Sequence, residues 1–184
     1  MPTQRELVER ASRGDAVAFD ALARAVIHRM YGTAHRVLRD TELAQDAVQQ
    51  ALWSAWRDLP NLRDLDRFDA WLRRLLVRSC YEEARRQRRA ASATVLRFEE
   101  PATADSTATV GDREALERAF RRLGPDHRIV VVLHLHEGLA LVEVADALGI
   151  PEGTARSRLH YAMKRLREAL ADEGLTRTRR EVVA

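Results

Sequence analysis

Between Glu152 and Leu170 the chain sets Thr154, Arg156, Ser157, Arg158, His160, Tyr161, Lys164, Arg165 and Arg167 against Ala155, Leu159, Ala162, Leu166 and Leu170. At helical spacing the second group forms one apolar face and the first a basic, hydrogen-bonding face. A guanidinium is a planar fork that grips a phosphate, or the edge of a guanine, with two bonds at once. Hydroxyl and imidazole groups add donors and acceptors that reach base edges or phosphate oxygens. Such a face has two readings, the solvated surface of a small helical bundle or a surface aimed at nucleic acid.

A second cationic stretch lies upstream, "FDAWLRRLLVRSCYEEARRQRR" from Phe68 to Arg89. Phe68, Trp71, Leu72, Leu75 and Leu76 make an apolar stripe that would fix this helix to its neighbours. Arg73, Arg74, Arg78, Arg85, Arg86, Arg88 and Arg89 are expected to face outward, opposed only by Glu82 and Glu83. Charge of that density attracts phosphate and makes binding strongly dependent on salt.

The elements that must hold these faces are helices. The chain has 184 residues, is 46% hydrophobic and only 5% aromatic, and carries eight glycines and five prolines. Abundant Ala, Leu, Arg and Glu with few β-branched runs favour an all-α fold. Lys164 is the single lysine among 31 basic residues, a bias that a GC-rich genome explains. Codon usage does not explain where the arginines lie. One cysteine, Cys80, excludes an internal disulfide and fits a reducing compartment. Arginines around it would lower its pKa and permit redox chemistry, but a lone buried small residue is the better reading. The charged start "MPTQRELVERASRGD" lacks the apolar core of a signal peptide, and no run approaches a membrane span, so a cytoplasmic chain without membrane insertion is expected.

Helical signals fill residues 4–89, with caps expected at Thr3 with Glu6, at Asp15, at Asp40 or Thr41, and at Asp66 or Asp69. Leu43, Ala47, Ala51, Ala55 and Leu59 recur every fourth residue, widened by Val48 and Leu52. Residues 90–111, "AASATVLRFEEPATADSTATVG", have no period and read as a flexible linker. Residues 112–173 are helical again, and the tail 174–184 is expected to fray. The fold class expected is two small helical domains, 1–89 and 112–173, joined by that linker.

Within the second domain, "VEVADALGIPEGTARSRL" is organised as a helix-turn-helix. A short apolar-striped helix, Leu141 to Leu148, stops at Gly149, and Pro151 sits where a helix begins without needing its N–H. In such motifs the N-terminal part of the second helix enters the major groove.

Here the chain resembles a known family. "EGLALVEVADALGIPEGTARSRLHYAMKRLREAL" is similar to region 4 of bacterial extracytoplasmic-function (ECF) sigma factors. The match runs through Glu137, Gly138, Leu139, Glu143, Ala145, Leu148, Gly149, Pro151, Gly153, Thr154, Arg156, Ser157, Arg158, Leu159 and Leu166. LuxR-type regulators share its looser features, and a matching upstream block separates the two. That block is present: residues 15–59 are similar to the start of sigma region 2 and Phe68 to Arg89 to its end. The short linker is of the type found where region 3 is absent, which marks the ECF class.

The resemblance implies partners and roles. Core RNA polymerase would be bound through its β′ clamp helices and β flap, promoter DNA at two elements, and an anti-sigma factor is a candidate antagonist. The duplex minus-thirty-five element falls to Thr154, Arg156, Ser157, Arg158, His160, Tyr161 and Lys164. The melted minus-ten element falls to the loop residues Asn61, Leu62, Arg63 and Asp64 with Arg74, Arg78 and Arg85. Docking on the clamp helices falls to Asp46, Gln49, Gln50, Trp53 and Arg57, with Trp56 read as core. The chain departs from the family at Gln45 and Gln50, where Glu is usual, and at Arg78, where Asn is usual. The linker's Glu99 and Glu100 are compatible with mimicking RNA charge in the polymerase cleft.

His134 and His136 invite a metal reading, but residues two apart on a helix point to opposite sides, whereas zinc-binding pairs are four apart. No metal, no cofactor and no catalytic constellation are expected. Two rivals to the sigma reading remain: a stand-alone helix-turn-helix regulator that binds duplex DNA unaided, and a sigma-like protein that sequesters another factor.

Overall fold

A computed structural model of the chain describes residues 2–93 and 111–181, which form eight α helices, with no strand among the described residues. The linker expected at 90–111 lies outside the described residues from 94 to 110. Its first residues belong to helix instead, consistent with the high helix propensity of Ala90 and Ala91.

Local sequence sets the helix starts. α1 (Gln4–Ser12) opens on a capping box: Glu6 N–H donates to Thr3 Oγ1 at 3.3 Å and Thr3 N–H to Glu6 Oε2 at 3.0 Å. Asp15 caps α2 (Ala16–Leu38) by accepting from Val17 and Ala18 N–H, both at 3.0 Å. Asp40, rather than Thr41, caps α3 (Thr41–Asp58), accepting from Leu43 N–H at 2.9 Å. α4 (Phe68–Ala93) follows two short 3₁₀ turns, Leu59–Asn61 and Leu65–Arg67. Neither Asp66 nor Asp69 caps its entry. Asp64 accepts from Asp66 N–H at 3.1 Å, while Asp66 is drawn away to Arg5 and Asp69 to Gln4 and Arg29. Those partners sit on α1 and α2, where local pattern cannot see them.

The second block contains α5 (Gly111–Arg121), α6 (Pro125–Val131), a π turn over Val132–His136, α7 (Leu141–Leu148) and α8 (Glu152–Glu181). α8 continues through Gly174, where the sequence predicts a frayed tail.

The small residues of the four-residue repeat do the packing in the first block. Ala47, Ala51 and Ala55 of that repeat, joined by Ala44 outside it, are wholly buried on α3, which lets α4 approach closely with Phe68, Leu72, Leu76 and Val77. That buried cluster does not stop at the first block: Ile129, Val130, Val132, Leu133, Val144 and Ala145 belong to it. α7 packs on α4, and α6 with the π turn packs on α2. A separate, smaller cluster of Ala119, Leu123, Val131, Ala162, Leu166 and Ala169 holds α5, α6 and α8 together.

Candidate nucleic-acid and polymerase interfaces

Gly149 ends α7 in the left-handed region, at φ 64° and ψ 34°. Its N–H donates to Asp146 O at 3.3 Å and that of Ile150 to Ala145 O at 3.0 Å, closing the last turn. Side chains with a Cβ rarely adopt this backbone, so glycine is what allows the sharp reversal. Pro151 then accepts from Thr154 and Ala155 N–H at 2.9 and 3.1 Å, and α8 leaves the turn at its start. The result is the helix-turn-helix read from the sequence.

On α8, Ala155, Ala162 and Leu166 are buried, while Arg156, Ser157, His160, Tyr161 and Lys164 are exposed. Thr154 and Arg158 lie half-buried at the flank. Arg156 donates to Glu152 at 2.5 Å, Lys164 reaches Glu168 at 3.8 Å, and the Ser157 hydroxyl donates to Thr154 O at 3.0 Å. Exposed pairs of this spacing contribute only about 0.5 kcal/mol, so they give way readily to phosphate or base edges. Tyr161 is braced by the His127 ring at 4.8 Å and by Arg165, which donates to its hydroxyl at 2.9 Å. Arg158 turns away from this face and donates to Tyr81 on α4 at 3.5 Å.

The minus-ten candidates do not form one cluster. Arg74, Arg78 and Arg85 line a cleft of about 530 Å³ between α4 and Asp146–Gly149 at the end of α7. Arg74 is ion-paired with Asp146 and Arg78 with Glu82, the latter at 3.1 Å. Asn61, Leu62, Arg63 and Asp64 sit instead in the loop before α4, which the Arg5–Asp66 pair at 2.7 Å ties to α1. Tyr81, absent from the expected set, lines the same cleft as the arginines. Burial, with the negative charge of Asp126, pushes its hydroxyl up to about 12, so it stays protonated.

Cys80 does not behave as a cysteine among arginines. It is buried on the core side of α4, and burial, aided by the charge of Glu83, pushes its thiol up to about 12. The arginines point outward and do not offset that desolvation, so the thiol stays protonated near neutral pH.

The docking candidates gather on the outer face of α3. Asp46, Gln49, Gln50 and Trp53 line a hollow of about 490 Å³, completed by Glu83 and Arg86 of α4. Trp53 is 63% exposed, whereas Trp56 is half-buried against Phe19 with ring centroids 5.0 Å apart. Arg57 lies one turn beyond Trp53 and is held by its neighbour Asp58 at 2.8 Å. That pairing, mainly its hydrogen bond, lowers the Asp58 pKa and raises that of Arg57. Glu83 corrects the sequence reading, which counted it on the outward face, whereas Arg86, 2.8 Å from it, is exposed as expected. Glu83 is only 5% exposed, and Arg86 turns to α3 rather than to the cleft that holds Arg85. Which side of α4 meets α3 depends on tertiary packing, and no local signal carries it.

His134 sets its Nδ1 2.7 Å from the Leu139 carbonyl oxygen, a structural bond that shapes the segment before α7. Glu137, the first residue of the matched helix-turn-helix segment, accepts from the Thr33 hydroxyl of α2 at 2.6 Å.

Comparison with known proteins agrees with both halves. The family description "Sigma-70 region 2" matches residues 22–90, and "Sigma-70, region 4" matches residues 119–168. The chain is 34% identical to the ECF RNA polymerase sigma factor SigM of Mycobacterium tuberculosis, over 90% of this chain and 83% of that protein. It is 30% identical to the RNA polymerase sigma-H factor of Pseudomonas aeruginosa, over 90% of this chain and 93% of the other. Its fold resembles the sigma factor RpoE of Bartonella quintana, solved with the anti-sigma factor NepR, with a TM-score of 0.62 at 24% identity, covering 83% of this chain and 96% of that one. It also resembles CnrH, solved with the cytosolic domain of CnrY, with a TM-score of 0.61 at 24% identity over 92% and 97% of the two chains.

Proposed function

The chain belongs to the ECF RNA polymerase sigma factors, and we propose that it binds core RNA polymerase and directs it to promoters that both blocks read. The observation that carries this reading is the order of the parts: a region 2 match, then a region 4 match, in one chain with an arginine-rich helix in each. A stand-alone regulator needs only the second.

The exposed row Arg156, Ser157, His160, Tyr161 and Lys164 reads the duplex minus-thirty-five element, with Thr154 and Arg158 at flanking phosphates. Arg74, Arg78 and Arg85 hold the backbone of the melted minus-ten strand, and the loop Asn61–Leu62–Arg63–Asp64 receives an unstacked base. Asp46, Gln49, Gln50 and the exposed indole of Trp53 dock on the β′ clamp helices, with Arg57 at the rim, and the second block contacts the β flap. The chain supplies binding and positioning, and the chemistry of RNA synthesis belongs to the polymerase. An anti-sigma protein is the expected antagonist, as the family implies. Among the described residues no helix is long and apolar enough to cross a membrane, in keeping with work at the nucleoid.

The test is transcription in vitro. Purified core polymerase, with and without the chain, would be offered a genomic fragment library and the transcript starts sequenced. Discrete starts that share two upstream elements and need the chain are expected. No gain of initiation, with the chain alone shifting duplex DNA, would identify a conventional regulator instead.

A further inference from the structure

Tyr161 differs from the rest of the exposed row on α8 in that two partners hold it, one of them on another helix. The ring is 45% exposed. Against it lies the imidazole of His127, with ring centroids 4.8 Å apart and planes tilted by 40°. Arg165, one turn further along α8, sets its guanidinium 5.6 Å from the ring centre and donates to the hydroxyl at 2.9 Å. The backbones beneath both rings are fixed by packing. His127 belongs to the first turn of α6, where Pro125 follows the cap Gly124 and the His127 N–H donates to Gly124 O at 3.0 Å. Ile129, Val130 and Val131 of α6 are buried, and α6 packs on α8, where Ala162 next to Tyr161 is wholly buried. Burial holds the His127 pKa below its ordinary 6.5, opposed by Asp126 and aided by Arg158 and Arg165. The imidazole is thus uncharged at neutral pH, which suits an aromatic neighbour better than a phosphate.

A freely rotating tyrosine gives up side-chain freedom when it is fixed on a partner, and one already held gives up less. The hydroxyl is prepared as well. Arg165 takes one of its lone pairs, and the nearby positive charge makes the oxygen a poorer acceptor and the O–H a better donor. In the major groove the purines and thymine present acceptors to such a donor, at N7, O6 or O4, whereas cytosine presents its amino donor. We propose that His127 is a positioning residue for promoter reading: with Arg165 it holds Tyr161 so that the phenol donates to one base edge of the upstream element and disfavours cytosine there. This rests on the assignment of the exposed α8 row to the duplex. His127 acts through Tyr161 and touches no base.

The experiment uses core polymerase with the full chain on a promoter from the initiation assay, randomised through its upstream element, with the transcripts from each variant counted. Tyr161→Phe and His127→Ala should both raise the relative use of cytosine at the same position, by about three- to tenfold, and leave the other preferences as in wild type. His127→Phe, which keeps a ring against Tyr161, should restore the discrimination. The double variant His127→Ala/Tyr161→Phe should match Tyr161→Phe alone, because the histidine works through the phenol. Urea unfolding of each variant separates these effects from loss of fold. A His127→Ala chain that lowers initiation equally from every sequence would overturn the proposal, since the histidine would then support only the fold. A Tyr161→Phe profile identical to wild type would overturn it too, and a changed Arg156→Ala profile beside it would show that α8 still reads the duplex. If Arg156→Ala also left every preference unchanged, the assignment of the α8 face would fall with the proposal.

Discussion

The arginine-rich faces of α4 and α8 are alike as strings of residues and differ in what stands opposite them. On α8 the candidate contacts face outward, and their ionic partners are neighbours one turn away on the same helix, such as Glu152 for Arg156. On α4 the candidates face a cleft, and Arg74 has its partner on another block. A partner within the helix is released by a side-chain rotation and costs about 0.5 kcal/mol or less. A partner fixed to a packed helix is released only when that helix moves. The same composition thus makes a face whose ionic partners lie on its own helix in one place and a face with a partner on another block in the other.

The largest expected effect removes what supports both faces. Leu133 is wholly buried in the cluster that joins the blocks, and Leu133→Ala should cost about 2–5 kcal/mol in urea unfolding. Two separate unfolding transitions, with the first block unaffected, would break the comparison by showing that the blocks are energetically independent. Next comes the face that belongs to neither DNA surface. Trp53→Ala should weaken polymerase affinity by about 2–4 kcal/mol while leaving the melting temperature unchanged, since the indole is 63% exposed. A drop in stability with normal affinity would return Trp53 to the core.

Arg156→Ala and Arg74→Ala sharpen the contrast directly. The first should cost about 1–3 kcal/mol at one base pair of the upstream element and relax preference there. The second should weaken promoters of any sequence and reduce the salt slope of binding by about one. Exchanged phenotypes in a promoter-variant binding series would exchange the two assignments. The smallest effect concerns the support of Tyr161. Burial holds the His127 pKa below its ordinary 6.5, so the folded state binds that proton less readily than the unfolded chain. The corresponding stability is complete above pH 6.5 and is lost as pH falls through that value toward the folded pKa. Melting temperatures at about pH 7.5 and about pH 5.5 should fall apart less in His127→Asn than in wild type.

Features set by near neighbours along the chain were legible in the sequence. The capping box at Thr3 and Glu6, the caps Asp15 and Asp40, the alanine repeat of α3 and the Gly149–Pro151 turn all depend on residues within about one helical turn of each other. The outward set on α8 was legible for the same reason, because one helix's period decides it. What was hidden depends on distant packing. Arg158 donates to Tyr81 of another helix, a partner that the period of α8 does not show. Arg86 and Arg85 are adjacent in sequence, yet one completes the hollow on α3 and the other the cleft under α7. Cys80 is buried, as the preferred reading of a lone small residue on an apolar-striped helix had it.

The most direct test of the account is promoter opening, followed by permanganate reactivity of unpaired thymines on a promoter found by the initiation assay. With core polymerase and the chain together, a short reactive window should appear just upstream of the start. It should be absent with either component alone and reduced by Arg74→Ala. A chain that binds the upstream duplex but never makes thymines reactive with core polymerase would contradict the account, since the first block would then open nothing.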